Sequence, residues 1–137
     1  MGTSGGQLNL PPGTGRAGEA AARAYASGEL GYEIVATNFR TREGEIDIVA
    51  WDRAGGVTAE NTCLVFVEVK TRTNRAFGAV SEQLSAKKSL RLQAAAQGYL
   101  AENDLEDADW RIDLISVEMD RSGRVSHIEH IESAIEG

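Results

Sequence analysis

A chain of 137 residues is long enough to bury a hydrophobic core, and 42% hydrophobic residues is ordinary for a globular protein. No apolar run approaches the roughly 20 residues that span a bilayer, and no charged segment followed by an apolar one marks a signal peptide. The one cysteine excludes an internal disulfide. We therefore expect a cytoplasmic protein without a membrane partner, with a flexible tail over residues 1–15 and one domain over residues 16–137.

The formal net charge of -7, taken as a sum, argues against a nucleic-acid partner. Its distribution along the chain is uneven. Residues 38–91 hold nine Lys or Arg against seven Asp or Glu, whereas the remaining residues hold five against fourteen. A local phosphate-binding surface within residues 38–91 is therefore compatible with an acidic protein.

Hydrophobic periodicity and turn signals predict two helices and five strands. We expect a helix where a run is rich in helix-forming residues, and we expect it to end where glycines follow. We expect a strand where apolar and polar residues alternate. In chain order the predicted elements are a helix over 16–29, strands over 32–39, 44–51 and 62–72, a helix over 81–100, and strands over 110–119 and 124–131. Ser81 is the expected N-cap of the second helix. The order αβββαββ indicates an α/β fold with a mixed β-sheet flanked by helices.

Charged residues interrupt the apolar strand predicted over residues 44–51. Side chains two positions apart on a strand share a face. Glu45 and Asp47 are therefore expected to point one way, and Ile46 and Ile48 the other. Charges in the middle of such a strand cost free energy unless they are paired or bind a cation.

The next predicted strand carries two more charges, on the face that includes Phe66. Glu68 and Lys70 share this face, and Asp47 on the adjacent strand could share one Mg²⁺ ion with Glu68, because magnesium prefers hard oxygen ligands. Lys70, roughly 7 Å further along the strand, could then orient a water molecule and stabilise developing charge. The alternative is a cross-strand ion pair of Lys70 with Asp47 or Glu45 and no metal. The spacing alone leaves both interpretations open.

Basic side chains surround this segment and are candidates for phosphate contacts. They are Arg40, Arg42, Arg72, Arg75, Lys87 and Lys88. Solvated surface charges are the alternative for each of them. His127 and His130 are three positions apart on a predicted strand, hence on opposite faces and without an acidic cluster for zinc, so we expect both to be surface residues.

Several short motifs follow one another in a specific order. They are Gly18-Glu19, Asn38-Phe39-Arg40, Gly44-Glu45-Ile46-Asp47, Val65–Arg72 and Lys87-Lys88. Together they resemble the YraN-type family of small bacterial predicted endonucleases, which is similar to archaeal Holliday-junction resolvases. The resemblance covers about residues 16–117. It implies a restriction-endonuclease-like fold and the hydrolysis of DNA, including branched or Holliday-junction DNA.

The resemblance also assigns roles to residues. Asp47 matches the aspartate of the PD-(D/E)-x-K signature of the restriction-endonuclease-like superfamily, Glu68 and Lys70 match its E-x-K, and Glu19 matches the helix glutamate. This implies a Mg²⁺ or Mn²⁺ ion held by Asp47, Glu68 and Glu19, with Lys70 positioning water. Ile46 stands where the signature has proline, a departure common in the resolvase-like branch.

Two functions of different classes remain open. One is a metal-dependent endonuclease, with Glu45 as a secondary site residue and a homodimer as the assembly, because resolvases of this fold usually need two sites for two cuts. The other is a non-catalytic nucleic-acid-binding module that retains the nuclease fold. Retention of the site residues favours the enzyme, whereas the acidic composition favours the module. A protein-interaction domain with structural ion pairs is a third possibility, and it predicts no divalent-cation binding.

Overall fold

The structure, a computed structural model, describes residues 14–53, 62–73 and 85–135. Its elements are α1 (Thr14–Gly28), β1 (Glu33–Arg40), β2 (Glu45–Asp52), β3 (Cys63–Arg72), α2 (Ala86–Glu102), β4 (Trp110–Met119) and β5 (Val125–Ile135). The predicted order αβββαββ is confirmed. The predicted tail lies outside the described residues, except for Thr14 and Gly15, which belong to α1. Neither helix of the described residues is long and apolar enough to cross a membrane.

The five strands form one sheet in the order β1-β2-β3-β4-β5. β3 and β4 are parallel, and the other neighbouring pairs are antiparallel. A parallel pair requires a crossover connection, and here that connection contains α2. The predicted α/β fold with a mixed sheet is therefore confirmed.

The two helices cover opposite faces of the sheet. Ala22 and Ala26 of α1 belong to one buried cluster, together with Val67 of β3. Leu92 of α2 belongs to a second buried cluster, together with Phe66 of β3. Because Phe66 and Val67 are consecutive on a strand, the two clusters lie on the two faces of the sheet.

Strand alternation holds along β3 but fails in β2. As predicted, Phe66 lies on the face opposite to Val67. Ile46 and Ile48, however, do not share a face, since Ile46 packs in the α2-side cluster and Ile48 in the α1-side cluster. The alternation breaks at Asp47, the residue between them.

The cause lies in the pairing of β1 with β2. Phe39 pairs with Ile46 and Thr37 with Ile48, so Asn38 lies opposite Asp47. Asn38 has a positive φ of 53°, a conformation that asparagine tolerates better than most residues. This irregularity lets the backbone change face at Asp47, which a two-residue period cannot predict.

The two largest differences from the predicted boundaries are at the start of α2 and at the end of β5. Ser85, not Ser81, is the N-cap of α2, because Ser85 has an extended backbone and its side chain accepts a hydrogen bond from Lys88 N. Ser81 itself lies outside the described residues. β5 continues to Ile135 rather than ending at Ile131, since Ile135 still pairs with Ile112 after a register shift.

Candidate metal centre

The backbone ladder between β2 and β3 ends beside Asp47. The last pair at this end joins Ile48 and Val67, so Asp47 and Glu68 are the next residues across the two strands. Asp47 Oδ2 accepts a 2.8 Å hydrogen bond from the backbone N–H of Val69. A side-chain oxygen thus takes the position of a ladder carbonyl and holds Asp47 beside β3.

Asp47 is buried among other carboxylates. Only 8% of it is exposed, and this burial raises its pKa well above the usual range. The charge of Glu68 is the next cause, and those of Glu19 and Glu45 add to it, while the hydrogen bond from Val69 N–H opposes the shift. Acidic side chains of α1, β2 and β3 therefore act on one buried carboxyl group.

Glu68 is more deeply buried, with 2% of it exposed. Lys88 Nζ, from the first turn of α2, lies 3.0 Å from Glu68 Oε2. This oxygen nevertheless makes no aligned hydrogen bond with any residue that the structure describes. The contact is therefore an ion pair by distance without the alignment of a hydrogen bond.

Lys70 lies two residues beyond Glu68 on the same strand and is 4% exposed. Burial lowers the pKa of Lys70 below its usual range, and the charges of Lys88 and Arg72 act in the same direction. The charges of Glu68 and Asp47 oppose the shift. Lys70 thus belongs electrostatically to the same group as the two acids.

Glu19 reaches this group because α1 lies very close to β3. Gly18 makes the approach possible, since a β-carbon at this position would overlap the side chain of Thr71. Thr71 is fully buried, so it has no free space into which to move. The half-buried Glu19 follows directly on α1, and its charge raises the pKa of Asp47. We call Glu19, Asp47, Glu68 and Lys70 the Asp47 site.

The predicted phosphate-binding residues have different surroundings. Arg40 is exposed and lies 3.4 Å from Glu45, and Arg42 and Lys87 are also exposed. Arg72 is half-buried at the end of β3. Arg75 lies outside the described residues, and Lys88, as described above, contacts Glu68.

Sequence reasoning missed the polar residues that β4 adds to this face. Ser116 pairs in register with Lys70, and Glu118 with Arg72. Both β4 residues are buried. The alternation of polar and apolar residues in the sequence of β4 was the available signal, but only the parallel pairing shows which strand they accompany.

A second buried polar group lies elsewhere on the sheet, around Asp113 of β4. Arg111 Nε lies 2.9 Å and Ser133 N 2.9 Å from Asp113 Oδ1. His130 Nε2 lies 2.7 Å and Tyr32 Oη 3.2 Å from Asp113 Oδ2. We call these five residues the Asp113 cluster. The expectation that His130 is a surface residue was wrong, because β5 carries it onto this buried carboxylate.

The Asp47 site fits a hexa-coordinate hard cation better than a zinc-type cage. Within residues 14–53, 62–73 and 85–135, no three His, Cys, Asp or Glu side chains are placed to hold a metal ion. Magnesium, however, usually keeps several waters and is bound through one or two carboxylates. Asp47, with its raised pKa, and Glu68, whose Oε2 has no aligned hydrogen bond within the described residues, supply two.

A five-stranded mixed sheet in this order, with helices on both faces, defines an α/β protein whose architecture is consistent with the restriction-endonuclease-like fold. The model of the family described as "Uncharacterised protein family UPF0102" matches residues 18–117. The chain belongs to this family. The resemblance found from the sequence motifs is thereby confirmed.

Three relatives match most of the chain. A UPF0102 protein of Desulforamulus reducens is 37% identical over 122 residues, covering 88% of this chain and 93% of its own. One of Pelobacter propionicus is 42% identical over 123 residues, covering 90% and 82%. One of Symbiobacterium thermophilum is 44% identical over 111 residues, covering 81% and 86%. All three are named for the family alone, so the functional argument depends on the site.

Proposed function

We propose that the protein is a metal-dependent endonuclease that hydrolyses phosphodiester bonds of DNA, with branched or Holliday-junction DNA as its substrate class. The observation that carries this proposal is the buried pair of Asp47 and Glu68. Two acids in such a position destabilise the fold unless positive charge compensates them. Burial and, after it, the charge of Glu68 raise the pKa of Asp47, and a bound divalent cation would offset both.

In this proposal Asp47 and Glu68 hold Mg²⁺ or Mn²⁺ directly. Glu19 would complete the shell through a water of the ion, because no three acidic side chains of the described residues are placed to ligate one ion. The bound ion supplies charge stabilisation at the phosphate and lowers the pKa of an attacking water. Lys70, on the same face as Glu68, positions that water and stabilises the charge that develops on the phosphate. The ammonium group of Lys70 donates hydrogen bonds and, while protonated, does not compete for the ion.

The DNA would lie along the basic residues next to the site. Arg40, Arg42 and Lys87 are exposed, and such side chains contact phosphates without reading sequence. Two symmetric cuts in a junction require two sites, so a homodimer is the proposed assembly. With DNA as the substrate, the cytoplasm is the proposed location of the protein.

The second candidate function is a DNA-binding module without cleavage. The observation that favours it is that Glu68, one of the two proposed metal ligands, already has the counter-charge of Lys88 at 3.0 Å in the free protein. Such a module would bind branched DNA equally well with and without divalent metal. Cleavage assays therefore separate the two candidates.

The test uses the full-length protein with labelled four-way junction, flap and single-stranded DNA, each with Mg²⁺, Mn²⁺ or a chelator. We expect metal-dependent cleavage of at least one branched substrate by the wild type and none by Asp47→Asn or Glu68→Gln. Binding without cleavage in every metal supports the module instead. Equal cleavage by wild type and Asp47→Asn would show that the activity is not from this site, and would overturn the proposal.

A further inference from the structure

Lys88 has a defined position beside Glu68, one of the proposed metal ligands. Its backbone N–H donates to Ser85 Oγ at 3.1 Å, which fixes the residue in the first turn of α2. Its ammonium group lies 3.0 Å from Glu68 Oε2. The adjacent Lys87 is exposed. Two neighbouring lysines of one helix turn therefore have different surroundings, and only Lys88 faces the site.

The contact with Lys88 compensates the buried negative charge of Glu68 without forming an aligned hydrogen bond to it. The Glu68 side chain is 2% exposed, and an uncompensated carboxylate there would be costly. Lys88 supplies the opposite charge at short distance, yet Glu68 Oε2 has no aligned hydrogen bond within the described part of the chain. Aligned hydrogen bonds are what make a buried ion pair strong. The pair is therefore replaceable by a better ligand for the same oxygen.

Lys88 can also leave the contact without disturbing the core. Its side chain is 25% exposed, against 2% for Glu68. Lysine side chains readily keep their aliphatic part on an apolar surface while the ammonium group moves to water. Only the rotation of one side chain is needed, because its backbone remains held by the N-cap.

We propose that Lys88 is an internal counter-ion that occupies Glu68 in the metal-free protein and is displaced when Asp47 and Glu68 bind a divalent cation. This inference rests on the metal centre proposed above. The ammonium group and the divalent cation compete for the same oxygen, Glu68 Oε2, and repel each other, so binding of the ion displaces the ammonium group from that oxygen. The released ammonium group of Lys88 then lies beside the Asp47 site, where it binds a phosphate of the substrate. Metal loading thus couples to exposure of a DNA-binding lysine.

The first test compares Mn²⁺ affinities by calorimetry for wild type, Lys88→Met, Lys88→Arg and the matched charge-removal control Lys87→Met. If the ion pair is closed for about nine-tenths of the time, it weakens apparent affinity roughly tenfold. Lys88→Met is therefore expected to bind Mn²⁺ about tenfold more tightly than wild type. Lys88→Arg and Lys87→Met should stay within about twofold of wild type, on the same argument. Equal or weaker binding by Lys88→Met would overturn the inference.

The second test needs no substitution at Lys88. Lysines of the wild-type protein are acetylated briefly with and without saturating Mn²⁺, and each site is quantified by peptide mass spectrometry. Modification of Lys88 is expected to rise several-fold with Mn²⁺, and that of Lys87 to remain unchanged. Asp47→Asn should show no rise at either lysine. Unchanged modification of Lys88 in Mn²⁺-saturated wild type overturns the inference, even if Lys88→Met fails to fold.

The outcomes separate this inference from the proposed nuclease activity. Mn²⁺ binding that releases Lys88 without any DNA cleavage would support the counter-ion and reject the enzyme. Cleavage with an unreactive Lys88 would support the enzyme and reject the counter-ion. If neither wild type nor Lys88→Met binds Mn²⁺, both proposals fail. Binding by Lys88→Met alone supports the counter-ion directly.

Discussion

Asp113 on β4 is fully buried and Asp47 on β2 nearly so, yet their carboxyl groups have opposite surroundings. Burial alone would raise the pKa of Asp113, but the hydrogen bonds from His130, Arg111 and the Ser133 N–H hold it below the usual range. Burial raises the pKa of Asp47, and the neighbouring Glu68 raises it further. One sheet thus contains a buried acid whose partners lower its pKa and another whose surroundings raise it.

The difference indicates which of the two groups is structural. The Asp113 cluster uses its carboxylate fully, with a cation and several donors from β4 and β5, so it needs nothing from outside. The Asp47 carboxyl group accepts a hydrogen bond from Val69 N–H, but burial and the charge of the neighbouring Glu68 outweigh it and raise its pKa. A protein retains such an arrangement at a cost in stability, and perturbed groups of this kind concentrate at functional sites. The comparison makes five predictions, from the largest expected effect to the smallest.

The largest effect is expected on catalysis by Lys70→Ala. Loss of a positioned proton donor or water-orienting group typically costs about 10²–10⁴-fold in rate. Mn²⁺ affinity should remain near that of wild type, because a protonated amine is not a ligand. Lys70→Arg should rescue poorly, since a planar guanidinium places its donors differently. Single-turnover cleavage measures the rates, with inactive Asp47→Asn as the control. Wild-type cleavage by Lys70→Ala would make Lys70 a scaffold residue.

In the Asp113 cluster, Asp113→Ala should lower the free energy of unfolding and leave the cleavage rate per folded protein unchanged. Asp113→Ala removes the shared acceptor of a buried charged network and leaves Arg111 with Asp52, 3.1 Å away, as its near acidic partner. Removal of one partner from a buried ion pair typically costs about 3–5 kcal/mol, and the remaining pair places the expected loss near the lower end. Urea unfolding measures the loss, with the exposed Asp107→Ala as a matched control near zero. The pKa of Asp113 lies below its ordinary value of 3.8. Its stabilisation is therefore present above pH 3.8 and is lost as the pH falls further. A loss independent of pH would contradict the charge-network account.

A substitution between α1 and β3 tests how the helix reaches the Asp47 site. Gly18→Ala places a methyl group onto the buried Thr71, and overpacking of this kind typically costs about 1–3 kcal/mol. Thr71→Ala in the same chain should restore part of the stability, because it removes the two nearest side-chain atoms. Thermal unfolding of the single and double variants measures both effects. Full stability of Gly18→Ala would show that α1 can shift, and that Glu19 is not held in place.

Asp47→Asn is expected to stabilise the metal-free protein at pH 7 while abolishing Mn²⁺ binding. A raised pKa means that the ionised carboxyl group destabilises the folded state, so the free energy of unfolding of Asp47→Asn is expected to exceed that of wild type. The pKa of Asp47 lies above its ordinary value of 3.8. Its cost therefore grows as the pH rises above 3.8 and is absent at lower pH. Urea unfolding at several pH values should give a trend opposite to that of Asp113→Ala. Unchanged Mn²⁺ affinity would remove Asp47 from the ligands.

The smallest effect is expected from the exposed Arg40, which is paired with Glu45 at 3.4 Å. Exposed ion pairs contribute about 0–1 kcal/mol, so Arg40→Ala should leave the unfolding free energy almost unchanged. If Arg40 contacts a phosphate, the salt dependence of DNA binding should fall by about one in slope. Arg53→Ala is the matched control, because Arg53 pairs with Glu33 near the other end of β2. Equal salt slopes for the two variants would exclude Arg40 from the DNA surface.

The sequence by itself determined the elements and the face of β3. The two-residue period of a strand is a local property, so Phe66 could be placed opposite Val67 without coordinates. The αβββαββ order followed from periodicity and turn residues in the same way. Motif order also identified Asp47, Glu68 and Lys70 as one group before the pairing of β2 with β3 was known.

Only the tertiary structure decided which charges meet. Lys88 reaches Glu68 because α2, in the crossover connection between the parallel strands β3 and β4, packs on the sheet. His130 reaches Asp113 because β5 pairs with β4. The face change at Asp47 depends on the pairing of β1 with β2. Such contacts join residues far apart in the chain, and their electrostatic consequences depend on burial and on the sum of several neighbours. A local repeat in the sequence determines neither the burial of a charged group nor the summed effect of its neighbours.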